Sequence, residues 1–430
     1  RARGYRQRAA PRQPRPLRRQ FQSTQDGTTN TPKTPFPIGW IGNFDIADQG
    51  DGKERYRHNM RINGNFEVDD YDAIIRMCKT FSLNGQALED AVPAAIDVDK
   101  WTRQFALLSL CGIGDTYSQG NPHNINFYVR PGDGLVESIP WDWDFTFNRS
   151  TSAPLWGNKN VSKIFARPVY RRLYHGHLRD IIRTTYNARY LNYWFRHFGT
   201  CSGESYTGNI NYVTARGSYV LAQLSPQVSF RITTNGGAAF STAEPSTTLV
   251  GDGWINVREV FLNGAPEPVA LRWTDGDSWS FSAPLLPGAN TLVLLATDHR
   301  GTVVGTSTIV VTNTGVVEPA SAENIAISEV MYHPAGIAAE EYLEFSNISS
   351  SGAAVDLSGA TFTAGIEFVF PANSVVAAGE RLLVVQDAAD FLARYGPGLP
   401  VAGVFANGTR LSNGGERLRL EGLGGEIIRD

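Results

Sequence analysis

Two hydrophobic periods divide this chain, and they change over near Cys201-Ser202-Gly203. Before that point apolar residues recur at three- and four-residue steps. After it, short runs alternate every second residue between turns rich in Gly, Asn and Asp. A helix repeats every 3.6 residues and a strand every two, so neither half can take up the other's structure. The chain is therefore expected to be multidomain, α+β in its first half and all-β in its second. Its 430 residues leave room for two to four domains, each with a core of its own.

The first half is organised around Ile96 to Asn148. Trp101, Phe105, Leu108 and Cys111 fall on one helical face, and Asp97 and Asp99 sit where a helix N-terminus favours negative charge. Gly112 and Gly114 end that helix and leave Asp115 on a loop, within a polar segment that runs to Asn124. A strand at Asn126 to Arg130, a turn at Pro131 to Gly134 and a strand at Leu135 to Ile139 form a hairpin that delivers Trp141-Asp142-Trp143-Asp144. Carboxylate and amide oxygens gathered on loops are what a hard divalent cation requires. Val68 to Phe81 reads as an earlier amphipathic helix, with Tyr71, Ile74, Ile75, Cys78 and Phe81 on one side. Two or three further helices are expected across Val161 to Phe198, punctuated by Pro168 and Gly176. Their apolar stripe, from Ile164 and Tyr170 to Tyr190, Tyr193, Trp194 and Phe198, is assigned to the core.

The alternating runs from Gln227 to Val311 include VSFRIT, VALRWT, SWSFSAPL and STIVVT, spaced about ten residues apart, which indicates an immunoglobulin-like sandwich. Trp273 and Trp279 belong to its core or sheet faces. A short linker, Thr312 to Ala322, precedes a third β unit.

The first 35 residues differ from both halves. Eight arginines lie within the first 19 residues and no acidic residue precedes Asp26, so residues 1–35 read as a basic disordered linker. Over the whole chain the net charge is −3, which gives no case for a nucleic-acid partner. No stretch approaches 18 apolar residues, so no membrane-spanning segment is expected. Cys78, Cys111 and Cys201 are too few and too scattered for a disulfide framework, and the first two read as buried thiols. The sequence begins at Arg1 and shows no export signal, so it is read as a piece of a longer protein. The chain contains no H-E-x-x-H, G-x-S-x-G, C-x-x-C or P-loop motif, which weakens zinc hydrolase, serine hydrolase, redox and P-loop chemistries.

Two resemblances follow from these residues. D-T-Y-S-Q-G-N-P-H-N from Asp115, F-Y-V-R from Phe127 and I-P-W-D-W-D-F-T-F from Ile139 resemble the kinase-like domain of the spore-coat protein CotH family. The third β unit resembles a lamin-tail domain. Its landmarks are Ile327-Ser328-Glu329-Val330, Tyr342-Leu343-Glu344, Asp356-Leu357-Ser358-Gly359, Phe370-Pro371, Gly379 and Leu411-Ser412-Asn413-Gly414-Gly415-Glu416. The implied layout is a basic linker at 1–35, the C-terminal part of a CotH kinase-like domain at 36–203, an Ig-like sandwich at 204–313 and a lamin-tail domain at 323–430.

The resemblance implies an atypical protein kinase that moves phosphate from ATP to protein hydroxyls with Mg or Mn. It assigns Asp115 as the catalytic aspartate and Asn124, Asp142 and Asp144 to the metal. Asn124 lies nine residues after Asp115, where protein kinases place the amide five after, and this leaves Asn121 and Asn126 as rivals. The segment before the hairpin is short for a nucleotide-gripping lobe, so the kinase-like domain is expected to be truncated. The alternative is a non-catalytic extracellular adhesion or scaffold protein that binds through its sandwiches, with a structural calcium site as a third reading. Glu329, Glu341 and Glu344 are noted as carboxylates near one another in sequence that are more simply outward-facing. A protein acceptor or cell-surface component is the expected partner, and the resemblance implies a secreted or surface location.

Overall fold

The computed structural model describes residues 19–23, 45–57, 60–62, 68–114, 116–117, 124–157, 159–336 and 338–430. The chain divides into two compact units, Arg1–Pro226 and Gln227–Asp430.

The first unit contains β1 (Arg19–Ser23), α1 (Glu54–Arg57), β2 (Met60–Ile62), α2 (Asp72–Ser82), α3 (Gly85–Ala91) and α4 (Val98–Cys111). There follow β3 (Ile125–Val129), β4 (Val136–Pro140), α5 (Asn160–Ala166), α6 (Pro168–Thr184), α7 (Ala188–Ser202) and α8 (Thr207–Ala222). The strands form one sheet in the order β2-β1-β3-β4. The linker expected over residues 1–35 is thereby corrected at Arg19–Ser23, which pair antiparallel with both β2 and β3. Ladder pairing uses only backbone groups, so a polar, basic composition does not prevent a segment from filling the open edge of β3. The rest of that expected linker lies outside the described residues.

Helix α4 is the axis of this unit. The Asp97 carboxylate accepts the Lys100 N–H at 3.1 Å as N-cap, and Gly112 closes the helix in the left-handed region. Trp101 is fully buried, stacked on Phe105 and Phe127 with Phe81 at its edge. Its indole N–H donates to the Val136 carbonyl at 2.8 Å, which pins the helix to the hairpin. Truncating a buried Trp costs about 3–5 kcal/mol, so this contact fixes the position of the hairpin beside α4. Pro168 opens α6 at a position whose N–H would have no helical partner, whereas Gly176 lies inside α6 and does not end it. One glycine costs a helix about 1 kcal/mol, less than the burial of Tyr174, Leu178 and Ile182 returns.

The core assignment holds for Ile164, Tyr170, Leu178 and Ile182 but fails on α7. There Tyr190, Tyr193, Trp194 and Phe198 are exposed, and Leu191 and Phe195 on the other side pack against the core. Helix α8 lies past the change of texture at 201–203, yet it packs on α7, α4 and α6 and so belongs to the first unit.

The second unit begins with β5 (Arg231–Ile232), β6 (Phe240–Thr242), β7 (Ser246–Asp252), β8 (Glu259–Leu262), β9 (Arg272–Trp273), β10 (Ser278–Pro284), β11 (Gly288–Thr297) and β12 (Val303–Asn313). They form two sheets, β5-β7-β10-β9 and β6-β12-β11-β8, whose inner faces bury Trp279, Phe281, Leu292, Leu294 and Ile309. This is the expected sandwich, with Trp279 in the core and Trp273 packed against it.

Further on lie β13 (Glu318–Pro319), β14 (Ile325–Met331), β15 (Tyr342–Asn347), β16 (Val355–Asp356), β17 (Thr361–Ala364), β18 (Val375–Val376) and β19 (Arg381–Val385). Helix α9 (Ala388–Tyr395) carries the chain to β20 (Val401–Val404), parallel to β19, and β21 (Arg419–Glu421) and β22 (Ile427–Arg429) complete the unit. Phe345, Phe362, Phe368 and Phe370 cross edge to face at its centre.

Candidate functional site

The candidate site grows from the C-terminal end of α4 and the open end of the β3–β4 hairpin. Ile125 faces Pro140 on the last rung of the ladder, so Asn124 on one side and Trp141 and Asp142 on the other leave the hairpin at the same end. Antiparallel partners are about 5 Å apart, so Ile125 and Pro140 hold the two departing segments side by side. Both residues hold left-handed backbone, Asn124 at φ 57° and Asp142 at φ 54°. Asn and Asp are the side chains that tolerate this region, and such outliers concentrate at functional sites. Asp142 and Asp144 are exposed and Asn124 is half-buried.

The loop beyond Asp142 is bound back to α4. The Phe147 N–H donates to the Cys111 carbonyl at 2.7 Å and the Arg149 N–H to that of Gly112 at 3.0 Å. The Phe147 ring lies against Phe195 and Tyr212. Gly112 is required at this join, because its φ is +58° and a Cβ would come 1.8 Å from the Tyr212 Oη. The W-D-W-D segment is therefore tethered beside the residues that lead into Asp115. Asp115, Asn121 and His123 lie outside the described residues. Asn126 sits within β3, opposite Ile139.

Three buried polar atoms near this end, Thr116 Oγ1, Asn126 Oδ1 and Trp143 Nε1, have no hydrogen-bond partner among the described residues. Buried polar groups are nearly always paired, so unpaired ones mark a place where another group can bind. Asp142, Asp144 and Asn124 carry the carboxylate and amide oxygens that Mg²⁺ or Mn²⁺ takes as ligands.

Two supports escaped the sequence reading. Arg216 on α8 is 1% exposed and donates to the carbonyls of Ser109, Thr151 and Ala153 and to the Ser109 hydroxyl, at 2.5–3.1 Å. Burial lowers its pKa, yet its charge rests at the C-terminal end of α4, where a helix dipole favours a cation. Asp45 accepts the Tyr117 O–H at 2.5 Å and the Asn160 N–H at 3.0 Å, and so anchors the chain two residues after Asp115. Burial, then the Asp45 charge, pushes the Tyr117 phenol well above its usual range. A lone arginine in the apolar helix α8 was a readable signal. Asp45 offered none.

The cysteines are free: Cys78 is buried, Cys111 half-buried and Cys201 exposed. Burial pushes the Cys111 thiol up to about 12, which keeps it protonated and inert at neutral pH.

With this geometry in place, residues 41–198 match the family model described as CotH kinase protein, and residues 318–428 match the Lamin Tail Domain. The chain carries a CotH domain and a lamin-tail domain. Asp115, Asn124, Asp142 and Asp144 lie inside the CotH match, whereas Arg216 and all of α8 lie beyond it. The Ig-like strands β5 to β12 fall between the two matches. Among curated proteins none matches. A solved structure, the Bacteroides ovatus mixed-linkage glucan utilization locus SGBP-B in complex with a mixed-linkage heptasaccharide, aligns at 15% identity and a TM-score of 0.14. The alignment covers 48% of this chain and 42% of that one, and at this score it carries no argument.

In the lamin-tail domain the three glutamates take separate roles. Glu329 and Glu344 face each other across β14 and β15, and Glu344 pairs with Arg381 at 3.0 Å. Glu341 is not outward-facing. It is 2% exposed and accepts the Leu411 N–H at 2.7 Å, holding the start of the L-S-N-G-G-E loop. Burial raises its carboxyl above the usual range. Among the described residues no three His, Cys, Asp or Glu side chains form a metal cluster, and no helix is long and apolar enough to cross a membrane.

Proposed function

We propose that the CotH domain is an atypical protein kinase that transfers the γ-phosphoryl group of ATP to a protein hydroxyl, in a protein that works outside the cytoplasm. The observation that carries this reading is the placement of Asn124 and Asp142, both with left-handed backbone, at one end of the hairpin. In this reading Asn124 and Asp142, with Asp144 beside them, hold Mg or Mn, which supplies neutralising charge for the transferred group. Asp115 orients the acceptor hydroxyl and takes its proton. Arg216 and Gly112 keep the Asp142 loop against α4, so that the metal-binding oxygens are fixed before substrate arrives. A non-catalytic surface scaffold is the second reading.

The test uses Asp142→Asn. Asn keeps the tolerance for left-handed backbone and removes only the charge, so the fold should survive. Transfer of labelled phosphate from ATP with Mg²⁺ or Mn²⁺ should fall by at least about 10²-fold. Transfer at the wild-type rate by the variant would remove Asp142 from the chemistry. No transfer and no nucleotide-dependent shift in Tm for the wild type would favour the scaffold, and a shift with Ca²⁺ alone would favour structural calcium.

A further inference from the structure

We infer that helix α7 is an interfacial face that lies on an anionic lipid surface. Tyr190, Tyr193, Trp194 and Phe198 are 44%, 66%, 39% and 54% exposed and recur at helical steps, with His197 among them. They form one continuous stripe. The helix cannot rotate to hide it, because Leu191 and Phe195 already fill the inner side. Gly199 also approaches the next turn so closely that a Cβ there would come 2.7 Å from the Glu204 carbonyl oxygen. An exposed stripe of this size on a fixed helix marks an interaction surface.

Charge selects the occupant. Arg189 and Arg196 lie one turn before and one turn after Tyr193, Arg183 lies in the last turn of α6, and all three are exposed. None of the three makes an ion pair among the described residues, and no acidic residue occurs between Asn187 and Gly203. A second copy of this face would meet like charge, whereas a phosphate-bearing surface would meet the guanidinium groups directly.

Ring geometry then separates a lipid layer from a polysaccharide. Tyr193 and His197 lie nearly parallel, at 6°, as do Trp194 and Phe198, at 25°, and the two pairs cross at steep angles, 82° between Tyr193 and Trp194, 88° between Trp194 and His197 and 71° between His197 and Phe198. Two near-parallel pairs crossed in this way do not share one plane, so the rings build a ridge rather than the single flat platform on which sugar rings stack. A ridge of Trp, Tyr and Phe flanked by Arg suits the boundary between headgroups and acyl chains. At 15 residues α7 is about 22 Å long, which suits a helix lying in the plane of the layer rather than one crossing it.

The full chain should co-sediment with phosphatidylcholine vesicles in which about one lipid in three is phosphatidylglycerol, and bind pure phosphatidylcholine at least about tenfold more weakly. Trp194→Ser with Phe198→Ser should weaken binding at least about tenfold without changing the Tm, because these side chains are exposed. Arg189→Gln with Arg196→Gln should also weaken it and flatten its dependence on salt. Equal binding by wild type and both variants would overturn the proposal. So would an absence of vesicle binding, whether or not the wild type is retained on an insoluble polysaccharide or forms a dimer that Trp194→Ser abolishes.

Discussion

Arg216 in the first unit and Glu341 in the second occupy comparable places. Each is almost wholly buried and each fastens a loop to a framework element, Arg216 by binding carbonyl oxygens around residues 109 and 151–153, Glu341 by accepting the Leu411 N–H. Their surroundings differ in the number of partners. A guanidinium keeps its charge at any ordinary pH, so burial is tolerable only when its N–H groups are saturated, and Arg216 makes four such contacts. A carboxyl can take up a proton instead, and one amide N–H suffices for Glu341. The arginine is therefore a fixed brace, while the glutamate is a fastening whose strength depends on pH.

Removing the brace should have the largest effect. Arg216→Met removes a donor from the carbonyls of Ser109, Thr151 and Ala153 and should destabilise the first unit by about 3–5 kcal/mol, with the second unit unchanged. Denaturant melts read by a probe in each unit would measure this. A loss under about 1 kcal/mol would mean that water replaces the guanidinium there.

Gly112→Ala tests the same join from the helix side. The left-handed backbone and the close Tyr212 hydroxyl together should cost about 2–4 kcal/mol. Adding Tyr212→Phe should return part of that loss, since it removes the nearest atom but not the backbone strain. Purely additive melts for the pair would show that the contact is not the cause.

The smallest effect belongs to Glu341→Gln, which keeps an oxygen for the Leu411 N–H and removes the ionisable group. Because the folded state raises the Glu341 pKa, its contribution is full below the ordinary carboxylate range and is lost as pH rises through the raised value. Wild type and variant should therefore melt alike near about pH 4, and the variant should become the more stable by up to about 1 kcal/mol near about pH 7. A gap that does not change with pH would mean that Glu341 titrates as it does in the unfolded chain.

The helix α4, the hairpin and the sandwich strands could be read in advance because each carries a strong periodic signal bounded by Gly, Pro or Asn. On α7 the period was visible but its direction was not. Leu191 and Phe195 form one apolar face and Tyr190, Tyr193, Trp194 and Phe198 another, and spacing alone does not say which of two such faces meets the core. Strands β6 and β7, rich in Ser and Thr, gave a weaker alternation than the neighbouring runs. At the candidate site, the residue types at Asn124 and Asp142 were legible, while their shared left-handed backbone and the bracing by Arg216 depend on contacts distant in sequence.

The placement of β1 between β2 and β3 has a consequence for the order of assembly. Arg19 faces Val129, so the strand filling the middle of the sheet must close a loop of roughly a hundred residues, whereas β3 and β4 are joined by a short turn. Hairpins form in about microseconds and distant pairings wait on loop closure, so β3 and β4 pair first. Until β1 docks, β3 presents a row of open N–H and C=O groups. During synthesis or refolding, that exposed edge is where a chain of this design is most open to capture by another strand.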